Sequence, residues 1–138
     1  MLGLRQKVYS LSSNRSQADQ NRNQIEPVHR KKRLNPCFLQ LHKRGVKCAI
    51  ASSSYRELID ELVDIAGIAD VLDYTISGHE CSAFKPDPEI YLLACERAGF
   101  APEECAVVED SRNGCVSGIT AGWHVPEVTP YIHGNMNL

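Results

Sequence analysis

From Pro36 onward the apolar residues fall into two alternating patterns, short unbroken runs and helical stripes, each closed by glycine, proline or serine. Val46-Lys47-Cys48-Ala49-Ile50-Ala51 is a near-continuous apolar run, the pattern of a strand covered on both faces. Ser54-Tyr55-Arg56-Glu57 has capping-box spacing, which predicts Ser54 as N-cap and Glu57 at the third helical position. Leu58, Ile59, Leu62, Val63 and Ala66 then share one stripe, and Gly67 is a natural helix stop. Val71 to Ile76 reads as a second strand. Asp87-Pro88 opens another helix, with Ile90, Leu93, Ala94 and Ala98 inward and Gly99 at its end.

Cys105-Ala106-Val107-Val108 is the clearest buried strand and stops at Glu109-Asp110. Gly114 to Ala121 reads as a shorter helix and Trp123-His124-Val125 as a last strand. With Cys37 to Arg44 as a first short helix stopped by Gly45, the order α-β-α-β-α-β-α-β predicts a parallel α/β sheet wrapped by helices.

Composition changes this picture only at the N-terminus. The 138 residues, 43% hydrophobic and 23% charged, suit one ordinary globular domain. The net charge of −2 hides an asymmetry: residues 1–35 carry eight Lys/Arg against Asp19 and Glu26. That polar segment lacks a sustained apolar period, so 1–35 is expected to be disordered or weakly structured and 36–138 to form the core. Its start has no acidic residue before Asp19, a trait of transit peptides, and Arg30-Lys31-Lys32-Arg33 could bind nucleic acid; a solvated basic tail is the plainer expectation. No apolar stretch is long enough for a membrane span. Six cysteines without C-x-x-C spacing point to free thiols and a cytoplasmic setting rather than disulfides or zinc.

Chemistry concentrates at strand ends. Ser52, Ser53 and Ser54 follow one apolar run, Glu109 and Asp110 end another, and Phe84-Lys85-Pro86-Asp87-Pro88 lies between them. In a parallel sheet those ends share the ligand-binding edge. A hydroxyl, an ammonium and two carboxylates there suit a phosphate held against a divalent cation. Each also has a plain structural reading: the serines as helix caps, Lys85 as a solvated lysine, Asp110 as the cap of the next helix.

Three segments in register, Ala49-Ile50-Ala51-Ser52-Ser53-Ser54, Phe84-Lys85-Pro86-Asp87-Pro88-Glu89-Ile90-Tyr91 and Val107-Val108-Glu109-Asp110-Ser111-Arg112-Asn113-Gly114, resemble the haloacid dehalogenase superfamily. The match is to the C-terminal half of its β-phosphoglucomutase/phosphatase branch and spans Val46 to Val125. It implies a Rossmann-like α/β core and magnesium-dependent phosphomonoester hydrolysis or phosphosugar mutase chemistry on a phosphorylated small molecule. It further implies Ser52 and Ser53 as phosphate contacts, Lys85 as the catalytic cation shared with phosphate, and Glu109 and Asp110 as magnesium ligands. Ser111 and Asn113 would line the pocket, Asn113 towards phosphate.

One part of the pattern is missing. The resemblance implies an aspartate-x-aspartate motif on a central strand, one aspartate to attack phosphorus and one to act as acid/base, yet no Asp-x-Asp occurs in the sequence. The first-motif strand and the substrate-selecting cap are likewise expected to be absent. A truncated gene product, half of a split enzyme with a complementing partner, and a catalytically silent binding module all remain open. A nucleic-acid interaction module is the rival from another class.

Overall fold

The computed structural model describes residues 28–126, with side chains from Pro36 onward. The expectations for the basic N-terminal segment therefore fall mostly outside the described residues. Helix α1 spans Val28–Lys43 and contains Pro36. It is longer than the Cys37–Arg44 expectation and crosses the boundary drawn at residue 36. Proline lacks an N–H, which made it look like the edge of the helix.

Strand β1 (Ala49–Ser52) pairs in parallel with β2 (Tyr74–Ser77), in the register Ala49 with Tyr74 through Ser52 with Ser77. The second strand starts three residues later than its expected Val71. Ala69–Val71 forms a 3₁₀ turn instead, and Asp73 locks the approach to β2: its N–H donates to the Cys48 carbonyl at 2.8 Å, and its Oδ2 accepts from the Cys48 N–H at 2.8 Å.

Period-two alternation in β1 feeds two cores. Ala49 and Ala51 pack with Ile76, Ile90, Tyr91, Ala94, Cys95, Ala98, Cys105, Val107 and Trp123. Cys48 and Ile50 face the other way, towards Phe38, Ile59, Val63, Ile68 and Val71. The strand is thus covered on both sides, as its unbroken apolar run requires.

Helix α2 (Arg56–Ala66) buries only Ile59 and Val63; Leu62, expected on the stripe, is 38% exposed. Its N-cap is Tyr55, not Ser54, and no side chain caps it; the Tyr55 carbonyl accepts from Leu58 and Ile59. The Ser54 carbonyl accepts the Ser77 hydroxyl at 2.7 Å, tying the serine turn to the end of β2. The capping box appears instead at Ser77, whose Oγ accepts from His79 while the Ser77 N–H donates to Glu80 Oε1 at 2.8 Å.

Helix α3 (Glu89–Ala98) begins one residue after Pro88, and the Asp87 carboxylate still accepts from the Glu89 N–H at 2.9 Å. It ends at Gly99 in the left-handed region, φ 72°. Besides the expected Ile90, Ala94 and Ala98 it buries Tyr91 and Cys95. Helix α4 (Arg112–Thr120) starts earlier than Gly114; its N-cap is Ser111, whose hydroxyl accepts from the Gly114 N–H at 3.0 Å. Asp110 does not fill that role.

The third and fourth expected strands reduce to a single parallel bridge, Ala106 with His124. Val107 N–H meets the His124 carbonyl and His124 N–H the Cys105 carbonyl, each at 2.9 Å. Gly122 and Pro126 bracket the short Trp123–Val125 run and leave it little length to pair.

An ion-pair network braces the turn after β2. Glu80 is gripped by Arg56, and its Oε2 accepts from Arg97 Nη2 at 2.5 Å, so α2, the turn after β2 and α3 share one carboxylate. Burial pushes the Glu80 carboxyl up, but the Ser77 N–H and the two guanidiniums outweigh it and bring it down to about 2. Because the folded value lies below the unfolded one, this stabilisation is present above pH 4.5 and fades as pH falls towards 2. Glu80→Gln should therefore flatten acid unfolding in that window, as thermal melts across pH will show; an unchanged acid limb would contradict it.

Candidate phosphate site

Lys85 is the hinge of the site. Its side chain is 4% exposed, so the solvated reading fails. The ammonium donates to the Ala51 carbonyl at 3.2 Å, one residue before Ser52, and to Glu109 Oε1 at 2.9 Å. It also sits 4.8 Å from the centre of the Tyr91 ring. One side chain thus ties the end of β1 to the end of the Cys105–Val108 segment. Burial lowers the Lys85 ammonium; the charge and hydrogen bond of Glu109, and then the charge of Asp110, hold it up. The Lys85-Pro86 peptide is cis. The loop behind it is pinned by the buried Ser117, whose hydroxyl donates to the Asp87 carbonyl at 2.6 Å.

Glu109 is buried, 2% exposed, and both of its oxygens are engaged. Oε1 accepts from Lys85 and from the Tyr91 hydroxyl at 3.0 Å, while Oε2 accepts from the Ser111 hydroxyl at 2.8 Å. Gly114 makes room for it: a Cβ there would lie 1.6 Å from Glu109 Oε2. A glycine in the first turn of α4 is what lets a buried carboxylate nest against that turn. Asp110 points the other way in burial terms and is exposed. Its charge and that of Glu109 both raise the buried Cys115 thiol, after burial itself.

Ser52 is 4% exposed, and its hydroxyl accepts from the Ser54 N–H at 3.2 Å. This serine turn, not a helix cap, shapes the loop. Ser53 is exposed at the turn's tip, and Asn113 is exposed in the first turn of α4. The structure therefore gathers the Ser52 end of β1, Lys85, Glu109 and Asp110 at one edge, and sets Asn113 on the helix beside it. Tyr91 went unassigned in the sequence, yet Tyr91, Ala94, Cys95 and Ala98 follow the i, i+3, i+4, i+7 spacing of a buried stripe. That stripe marked it as inward-facing; nothing marked its hydroxyl for Glu109.

The residues fit magnesium in part. Glu109 has a protein donor on each oxygen and is buried, whereas Asp110 is the solvent-exposed carboxylate of the pair, and a magnesium ion takes one or two carboxylates with waters and a phosphate oxygen. Among the described residues no three His, Cys, Asp or Glu side chains cluster as a ready cation cage.

A model of the haloacid dehalogenase-like hydrolases matches residues 15–122. The chain belongs to that family. The match starts well before Val46, so the haloacid dehalogenase relationship reaches further towards the N-terminus than the three motifs do. Hexitol phosphatase A of Escherichia coli is 36% identical over 85 residues, covering 62% of this chain and 39% of that protein. The phosphorylated carbohydrates phosphatase of Thermotoga maritima is 39% identical over 82 residues, covering 57% and 37%. The structure of CbbY from Rhodobacter sphaeroides, in complex with xylulose-(1,5)bisphosphate, superposes with a TM-score of 0.61 at 25% identity, covering 64% of this chain and 40% of CbbY. β-Phosphoglucomutase from Clostridium difficile shares the fold, with a TM-score of 0.60 at 22% identity over 65% of this chain and 40% of that one. The chain spans about two fifths of the length of these haloacid dehalogenase-like relatives.

Proposed function

We propose that this chain forms the phosphate-facing and cation-facing half of a haloacid dehalogenase-type phosphomonoester hydrolase or phosphosugar mutase, and that it is catalytically silent by itself. The observation that carries the reading is the buried Lys85 ammonium between the Ala51 carbonyl and Glu109. It draws the three motif segments to one edge. The N–H groups of the turn after Ser52 and the Ser52 hydroxyl would hold a phosphate, with Ser53 at the tip and Asn113 from the neighbouring helix. Lys85 offsets its charge. Asp110 would hold magnesium, with Glu109 behind it as the anchor of Lys85. Bound there, magnesium would neutralise charge on the phosphoryl oxygens.

The ligand class is a phosphorylated small molecule, consistent with what the relatives' names state. The six free thiols support a cytoplasmic setting, and no described helix is long and apolar enough to cross a membrane. The 138 residues hold no Asp-x-Asp motif, so the nucleophile that forms an acyl phosphate would have to come from outside them. Purified chain given p-nitrophenyl phosphate and magnesium should release no nitrophenolate. Turnover that disappears in Asp110→Asn, a change at an exposed position, would overturn the silence while keeping the site.

A further inference from the structure

We propose that Cys95 and Cys105 form a thiol-oxidation site that hydroperoxides convert into an intrachain disulfide. The two sulfurs lie 3.7 Å apart, one on α3 and the other on the segment leading to Glu109. They are 5% and 1% exposed, so each faces the other and is shielded from thiols of other molecules. The site stands apart from the phosphate edge and does not depend on that reading.

The surroundings distinguish the two sulfurs. Trp123 Nε1–H donates to Cys95 Sγ at 2.9 Å, and the Cys95 thiol donates on to Cys105 Sγ. Cys105 Sγ instead has the Ala101 carbonyl, an acceptor, at 3.5 Å. Negative charge is therefore favoured on Cys95, and the proton on Cys105. The thiol values follow the same direction. Cys95 is lowered by the Cys105 hydrogen bond against burial, with Trp123 assisting, whereas Cys105 is raised by that hydrogen bond and by burial. Cys95 is the attacking sulfur and Cys105 the resolving one.

The chemistry needs only a hydroperoxide as oxidant. The Cys95 thiolate attacks the terminal oxygen and the O–O bond breaks. The alkoxide or hydroxide leaves and takes up a proton, and Cys95 becomes a sulfenic acid. The Cys105 sulfur then attacks Cys95 Sγ. The S–O bond breaks, and the departing hydroxide takes the Cys105 proton as water. Two thiols are oxidised while one peroxide bond is reduced. Local opening of the core admits the small oxidant, so the reaction follows the opening equilibrium.

Trp123 is the sole tryptophan of the sequence and touches Cys95, so its emission reports the event. Cys37 is exposed and would add intermolecular products, so the full chain carrying Cys37→Ser is the material of choice. Hydrogen peroxide treatment, thiol alkylation and peptide mapping should yield a Cys95–Cys105 linked pair lighter by two hydrogens. Tryptophan emission should fall and recover with dithiothreitol. With Cys105→Ser added, oxidation should stop at a sulfenic acid on Cys95, trapped by dimedone. If that variant does not fold, the Cys37→Ser map decides alone. Recovery of Cys95 and Cys105 as alkylated thiols while Cys81 is consumed would overturn the proposal, as would Cys95 linked to any other cysteine.

Discussion

Lys85→Met should destabilise the fold by about 3–5 kcal/mol, the usual loss when one partner of a buried ion pair is removed. The side chains of Lys85 and Glu109 are 4% and 0% exposed, so water cannot replace the missing ammonium. Methionine nearly preserves the volume, which isolates the charge from the packing. The Tyr91 and Ser111 hydroxyls would still donate to Glu109, but neither carries a charge. A loss of that size is a large fraction of the 5–15 kcal/mol that holds a typical domain together. The variant is thus expected to melt far earlier, or to fail to fold. Adding Glu109→Gln removes the stranded charge and should recover much of the loss. Urea unfolding of the two single variants and the double variant forms the cycle; additive losses would mean the two groups are not coupled.

Gly114→Ala should cost about 2–3 kcal/mol, although alanine ordinarily favours a helix over glycine by about 1 kcal/mol. Space decides the sign. The new Cβ would meet Glu109 Oε2 at 1.6 Å and Cδ at 2.0 Å, distances no side chain tolerates. The carboxylate is the far end of a flexible side chain, which would normally make room cheaply. Here Lys85, Tyr91 and Ser111 hold it from both oxygens, so yielding means giving up hydrogen bonds in the interior. Asn113→Ala, one residue away and exposed, is the control and should change stability by no more than about 0.5 kcal/mol. Equal melting temperatures for the two variants would contradict the nesting of Glu109 against α4.

The sequence was most legible where chemistry and periodicity agree. The apolar run into Ser52 and the glycines after α2 and α3 each carry one dominant physical reason, and each is found where expected. The convergence of Lys85 with the Glu109-Asp110 pair was legible through the resemblance, because order along the chain fixes which strand ends share an edge. Local capping was less legible. Of Ser54, Asp87 and Asp110, which all offer cap oxygens, Asp87 does accept from the Glu89 N–H, while Tyr55 stands at the start of α2 and Ser111 takes the start of α4. The separate duties of Glu109 and Asp110 were invisible, since two adjacent carboxylates look alike until one is buried under Lys85 and Tyr91 and the other is exposed. The third and fourth strands were overread for a similar reason: an apolar run reports burial, and Cys105–Val107 is buried while pairing only at Ala106.

Titrating isotope-labelled chain with inorganic phosphate and magnesium, and following amide and lysine side-chain resonances, tests the shared phosphate site most directly. Shifts should concentrate at Ser52–Ser54, at the Lys85 ammonium and at Asp110–Asn113, saturating with one common affinity that weakens at least about tenfold, roughly 1.4 kcal/mol, in Asp110→Asn. Shifts confined to one of those segments, or distinct affinities for the serine turn and the Asp110 turn, would show that these groups do not serve one ligand.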